Sequence, residues 1–120
     1  MNGAVLIRWG ASVPGREAAS LDVFGRAINR FETLTKQGRL HGHREYVSVT
    51  GRDSGFAILD GEIEELTKIL TEEDTLKLNA QAGAIVEDFE VQAYVGGTDQ
   101  AVQEQLTSYT ASLREIGYLQ

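Results

Sequence analysis

A chain of 120 residues, 42% hydrophobic and 24% charged, has the length of one compact domain and none of the bias of a disordered segment. Eighteen acidic against eleven basic residues give a net charge of -7, and the three Lys and eight Arg are scattered; that field repels a phosphate backbone, so nucleic acid is not an expected partner. Zero Cys excludes disulfides, thiolate metal sites and cysteine nucleophiles together.

The longest uninterrupted apolar run, Ala4 to Ile7, is far short of the ~20 residues that span a bilayer, so no membrane association is expected. Met1, Asn2 and Gly3 lead directly into a strand pattern without a basic, extended apolar leader, and a cytoplasmic location is the expectation. Ala4 to Trp9 is apolar on both alternating faces apart from Arg8, which predicts a central strand covered on two sides. Pro14 and Gly15 form a loop, and Glu17 sits where a helix N-terminus favours a carboxylate. Leu21, Phe24, Ile28, Phe31 and Leu34 then recur at helical spacing as one apolar stripe, and Gly38 is the expected stop.

From Leu40 to Thr50 the pattern is that of a strand, with His41, His43, Glu45, Val47 and Val49 on one face and Arg44, Tyr46, Ser48 and Thr50 on the other. The cluster Gly51-Arg52-Asp53-Ser54-Gly55 predicts a hairpin turn to a strand at Phe56 to Leu59, closed by Asp60-Gly61. Ile63, Leu66, Ile69 and Leu70 mark a second helix. Thr71-Glu72-Glu73-Asp74 reads as a fresh N-cap for a short helix ending at Gly83. A half-buried strand is expected from Ile85 to Val95. After Gly96-Gly97, Thr98 caps a last helix, to about residue 117, with Val102, Leu106, Tyr109 and Leu113 on one stripe.

Strand, helix, strand, strand, helix, strand is two split βαβ units. They predict an α+β class, ferredoxin-like βαββαβ antiparallel sheet in the order 4-1-3-2, with two main helices on one face and an extra C-terminal helix. All 120 residues read as one domain, with the core at 4–95. Strands apolar on both sides leave the other sheet face in need of a cover, and a second subunit supplies it. A homodimer through the open sheet face is the expected partner arrangement.

On these patterns the chain resembles the dimeric α+β barrel superfamily, over roughly residues 4 to 95 by the length of a doubled split unit. Within it the chain looks most like the YCII-related bacterial proteins, through Val13-Pro14-Gly15-Arg16-Glu17 before a long helix, Gly38 after it, and Gly55-Phe56-Ala57-Ile58-Leu59-Asp60-Gly61. The YCII pattern has a His early in the first helix and a nearby Asp, and many relatives carry Asp-Gly-Pro-Phe. This chain has Ala18 and Ala19 in that helix and no such stretch, so that chemistry is not carried over. The resemblance implies further that haem binding uses a helix-borne His, which this chain lacks. It also implies that cofactor-free quinone oxidation uses Trp, Tyr and Asn side chains in a cavity between helices and sheet, which draws attention to Trp9, Tyr46 and Tyr94.

His41 and His43 lie about 7 Å apart on one strand face, with Glu45 ~13 Å from His41. Two imidazoles fall short of the three protein ligands of a catalytic zinc site, so no metal and no other cofactor is expected. Arg8, in an otherwise apolar strand, needs a carboxylate partner such as Glu90 or Asp88. With Glu90, Tyr46, His43 and Tyr94 it would form a polar pocket in or beside the barrel for a small organic ligand with a carboxylate or phenolic group; a salt bridge fixing the dimer register is the competing reading. Glu62, Glu64, Glu65, Glu72, Glu73 and Asp74 read as a solvated face. Three functions remain open: small-metabolite binding, cofactor-free oxygenase or isomerase chemistry on an aromatic or lactone-like metabolite, and a regulatory or structural interaction module presenting Leu106 and Leu113.

Overall fold

A computed structural model describes residues 1–51 and 54–120; Arg52 and Asp53 of the expected hairpin turn lie outside the described residues. The elements in chain order are β1 (Asn2–Trp9), α1 (Glu17–Lys36), β2 (Gly42–Val47), β3 (Gly55–Glu62), α2 (Ile63–Leu70), α3 (Glu73–Ile85), β4 (Glu90–Val95) and α4 (Asp99–Glu115). The four strands form one antiparallel sheet in the order β2-β3-β1-β4, the arrangement that the two split units predict.

Alternation along the strands sorts the side chains. Val5 of β1 and Leu59 of β3, partners in the register, join Leu34 of α1, Leu40, and Leu66 and Ile69 of α2 in one buried cluster. That face therefore carries α1 and α2. Ala4, Leu6 and Arg8 of β1 point the other way, beside Asp60, Ile58 and Phe56 of β3 and Tyr94, Gln92 and Glu90 of β4. Among the described residues this second face has no covering element, and Tyr46, Phe56 and Tyr94 are exposed on it. Tyr46 and Phe56 stack there at 4.9 Å.

Several expectations change at the element ends. β2 stops at Val47, and Val49 is exposed. Gly83 does not end α3, which runs to Ile85; a helical glycine is tolerated at about 1 kcal/mol. The strand expected from Ile85 begins only at Glu90. In between, Val86 bridges to Ser12, Gly10 and Glu87 exchange hydrogen bonds with the opposing segment, and Asp88 takes a φ of 54° that turns the chain. Thr71 does not cap α3. Its hydroxyl donates back to the Lys68 carbonyl at 3.1 Å, at the C-terminal end of α2. Thr98 does cap α4, accepting from the Ala101 amide at 3.1 Å. Leu21 is 75% exposed, because α1 turns Val23, Ala27, Phe31 and Leu34 inward rather than a line centred on Leu21.

Most members of the supposed solvated acidic face are instead engaged: Glu62 and Glu64 with the N-terminal ammonium, Asp74 with Arg30, and Glu65 and Glu72 in a tighter lattice. Arg39 donates to Glu65 at 2.5 Å and Glu72 at 2.9 Å, and Arg30 donates to Glu72 at 3.2 Å and to the Thr75 hydroxyl at 2.8 Å. The Arg39 hydrogen bond holds Glu72 below the ordinary carboxylate range. This lattice ties α1 and the loop after it to α2 and α3, which fixes the helical roof over the sheet. No helix among the described residues is long and apolar enough to cross a membrane.

Candidate functional site

The residues singled out from the sequence fall on two faces of the sheet. Arg8 and Glu90 are register partners and form an ion pair on the open face, as expected, but the Arg8 side chain is 60% exposed in the single chain rather than buried. With Tyr46, Phe56 and Asp88 they border a shallow groove of ≈ 410 Å³. Tyr94 lies on the same face further along β4, hydrogen-bonded to Gln92. His43 is parted from them: it pairs with Leu59 and faces the helices, because residues 43 and 46 of a strand necessarily point to opposite sides. Trp9 borders the groove from the strand end, while its ring packs edge-on against Phe24 of α1 at 5.5 Å. The pocket of Arg8, Tyr46, His43, Glu90 and Tyr94 is therefore not assembled within one chain.

A deeper, half-open space lies on the other side of the sheet. Between β1, β2 and β3 below and α1 and the end of α3 above lies a cavity of ≈ 310 Å³. Its walls are mainly aromatic and aliphatic, among them Trp9, Phe24, Phe31, Phe89, Ala27 and Ala57, with the exposed Leu21 at its rim. Ala57 keeps the sheet floor low, and Ala27 does the same for the helical roof. Among the described residues the lining contains no Lys, Arg or His. Of the expected aromatics only Trp9 is on it.

One polar group interrupts the floor. Glu45 alternates with His43 on the helix-facing side of β2, as its spacing predicts, and lines the cavity. His43 Nδ1 bonds Glu45 Oε1 at 2.5 Å, and Nε2 bonds Glu32 Oε1 of α1 at 2.6 Å. The Phe31 ring covers the imidazole at 5.9 Å. The sequence shows the His43–Glu45 step of two, but not Glu32, which only helix packing brings across. His41 takes no part; it stands 3.9 Å from Glu62. No group of three or more His, Asp or Glu residues among those described is placed to hold a metal ion.

A neutral imidazole has one donor, so a ring bonded to carboxylates at both nitrogens is an imidazolium donating to each. Burial pulls the His43 pKa down, but the hydrogen bonds to Glu45 and Glu32 outweigh it, and the pKa is raised above its ordinary value. A raised folded-state pKa gives stability that is complete below the unfolded value of about 6.5 and is lost as pH rises through the folded one. We expect the His43 ring protons to titrate, by NMR, above the ordinary histidine value of about 6.5. Urea midpoints should fall across that interval in wild type and lose this dependence in His43→Gln. A His43 titration at or below about 6.5 would refute the ion triad.

No family model and no curated protein matches the sequence. Solved structures do match the fold. Rv0793 from Mycobacterium tuberculosis aligns with a TM-score of 0.66 at 15% identity, over 82% of this chain and 98% of its own. A point mutant of SnoaB, a cofactor-independent oxygenase from Streptomyces nogalater, aligns at 0.63 and 17%, over 81% and 94%. A dimeric protein of ferredoxin-like fold from Bacteroides fragilis aligns at 0.56 and 9%, over 78% and 94%. At such identities the likeness establishes a shared ferredoxin-like α+β architecture.

Proposed function

We propose that the protein is a homodimer joined through the open sheet face, and that each subunit binds a small, flat organic molecule in the cavity between helices and sheet. The observation that carries this reading is the ≈ 310 Å³ space walled by Trp9, Phe24, Phe31 and Phe89. Its size is at the lower end of the range for ligand sites, and predominantly apolar walls broken by few polar groups are the usual form of such sites. Aromatic walls favour an aromatic ligand, through offset and edge-on ring contacts. The dimer covers the apolar open face, and the exposed α4 stripe of Val102, Leu106 and Tyr109 would add to that contact. The groove beside Arg8 and Glu90 would then close between subunits.

The reading is tested by filling the cavity. Ala27→Phe should place a ring in the space between α1 and the floor and abolish the thermal stabilisation that bicyclic aromatic compounds give to wild type, while the unliganded melting temperature stays within a few degrees. At a ligand concentration a hundred times Kd, wild type should gain about 2.7 kcal/mol. If Ala27→Phe and wild type respond alike, the ligand is elsewhere and this assignment fails.

A second reading has its own support. Trp9 is on the cavity wall, and one fold neighbour is a cofactor-independent oxygenase. A cofactor-free oxygenase or isomerase acting on an aromatic or lactone-like molecule would use the same cavity. Oxygen uptake with a dihydroxynaphthalene panel, lost in Ala27→Phe, distinguishes this from binding alone.

A further inference from the structure

We propose that Glu45 is the acceptor that selects what the cavity holds: an aromatic molecule bearing a neutral ring-borne O–H or N–H donor, in preference to the same molecule with that donor capped. The inference rests on the cavity reading above and adds the chemical class of the ligand. Three observations carry it.

The first is position. Glu45 is paired with Ala57 across β2 and β3, in the middle of an otherwise apolar floor, and its side chain is 17% exposed. Removing a carboxylate from water is unfavourable unless it is paired and hydrogen-bonded, and His43, 9% exposed, supplies that pairing. The second is redundancy. The link from β2 to α1 is the bond between His43 and Glu32, which is 53% exposed and pairs with the imidazolium from the wet side. Glu45 helps to keep the ring charged, but its own bond to His43 runs within β2 and ties nothing to α1, whereas a leucine there would continue the apolar wall.

The third is capacity. A carboxylate accepts about four hydrogen bonds, and His43 uses one at Oε1. The other polar lining groups, Ser12, Ser20 and Glu17, are engaged elsewhere: Ser12 lies in the bridge to Val86, Ser20 donates to the Ile85 carbonyl at 3.3 Å, and exposed Glu17 accepts from the Gly15 amide at 3.2 Å. An anionic ligand would meet a carboxylate with no Lys, Arg or His among the described lining residues to offset it. A cationic ligand gains less than the net charge of the triad suggests, because the imidazolium beside Glu45 repels it and water screens Glu32, which is 53% exposed. A neutral O–H or N–H fits, and a hydrogen bond to an ionised acceptor is about twice as strong as a neutral one.

Matched probes test this: 2-naphthol against 2-methoxynaphthalene, and indole against 1-methylindole, by calorimetry at fixed pH. Wild type should bind the donor-bearing member of each pair at least about tenfold tighter. Glu45→Gln should shrink that preference to less than about threefold, with the capped members within about twofold of wild type. Glu45→Leu, which continues the apolar wall, should erase it and bind the capped members at least as well. Equal binding of both members by wild type, or a preference that survives in both variants, overturns the role of Glu45 and leaves the cavity reading intact. No binding of any probe by wild type overturns both.

Discussion

Replacing Leu6 with Asp should turn a dimer into a monomer at micromolar concentration, with a dimer Kd raised at least a hundredfold. Leu6 lies mid-strand on the open face, between Ile58 of β3 and Gln92 of β4, with the exposed rings of Phe56, Tyr46 and Tyr94 around it. A monomer would leave that patch in water, and contiguous apolar patches rimmed by polar groups mark association surfaces. An unpaired carboxylate buried at such a contact costs about 3–5 kcal/mol, and a hundredfold is about 2.7 kcal/mol. The substitution is aimed away from the core, since Val5 and Ile7 keep their places under α1 and α2. Sedimentation velocity on both proteins is the measurement. Wild type running as a monomer, or Leu6→Asp as a dimer, would remove the open face from the assembly.

In the proposed dimer Arg8 and Glu90 would contribute less to the contact, because an exposed, solvent-screened ion pair is weak. Opposed across the sheet, they would offer a partner subunit a polar mark at one end of an apolar patch, which is a role in register.

How much of this was legible depends on the range of the interaction. The succession of strand and helix patterns is a local signal, and the two split units it spells are enough to set the strand order; apolar residues on both alternating faces of β1 and β3 demand a cover for the other face. Period-two alternation, applied across strands, separates His43 from Tyr46, so grouping them with Arg8 joined two sides of the sheet. The end of α3 was less legible, because Val86 leaves the helix for a bridge to Ser12, far away in sequence, and Asp88 adopts a conformation that glycine ordinarily supplies. Arg30 and Arg39 hold Glu72 between them, which no local pattern reveals. The cavity was hidden for the same reason: Phe24, Phe31 and Phe89 look like core, and only the small side chains of Ala27 and Ala57 opposite them keep the space open. The likeness to YCII-related proteins stands on the quoted loop and turn residues, while the solved structures bear on the fold.

Leu66→Ala should lower the free energy of unfolding by about 3 kcal/mol, and a second substitution should restore part of it. Leu66 is fully buried in the cluster that joins α2 to β1 and β3, and truncating such a leucine costs roughly 2–5 kcal/mol, depending on how far the site collapses. Collapse is limited here, because Gly61 of β3 beneath it has no side chain to move into the void. A methyl group on Gly61 would meet Leu66 Cδ2 at 3.3 Å and Cγ at 3.5 Å. Gly61→Ala alone should therefore destabilise by about 1 kcal/mol, as overpacking does. In the Leu66→Ala background the obstructing atoms are gone, and the same methyl fills space that is otherwise empty; replacing a strand glycine also reduces the entropy lost on folding by about 0.5–1 kcal/mol. The double variant should be more stable than Leu66→Ala, with a coupling of about 1–2 kcal/mol, within the range for residues in direct contact. Urea unfolding of all four proteins at one protomer concentration measures it, since a dimer of the proposed kind would make stability depend on concentration. Additive effects would mean that α2 shifts to close the gap itself, and the helix would then be loosely seated rather than fixed by Leu66 and the Arg39 lattice.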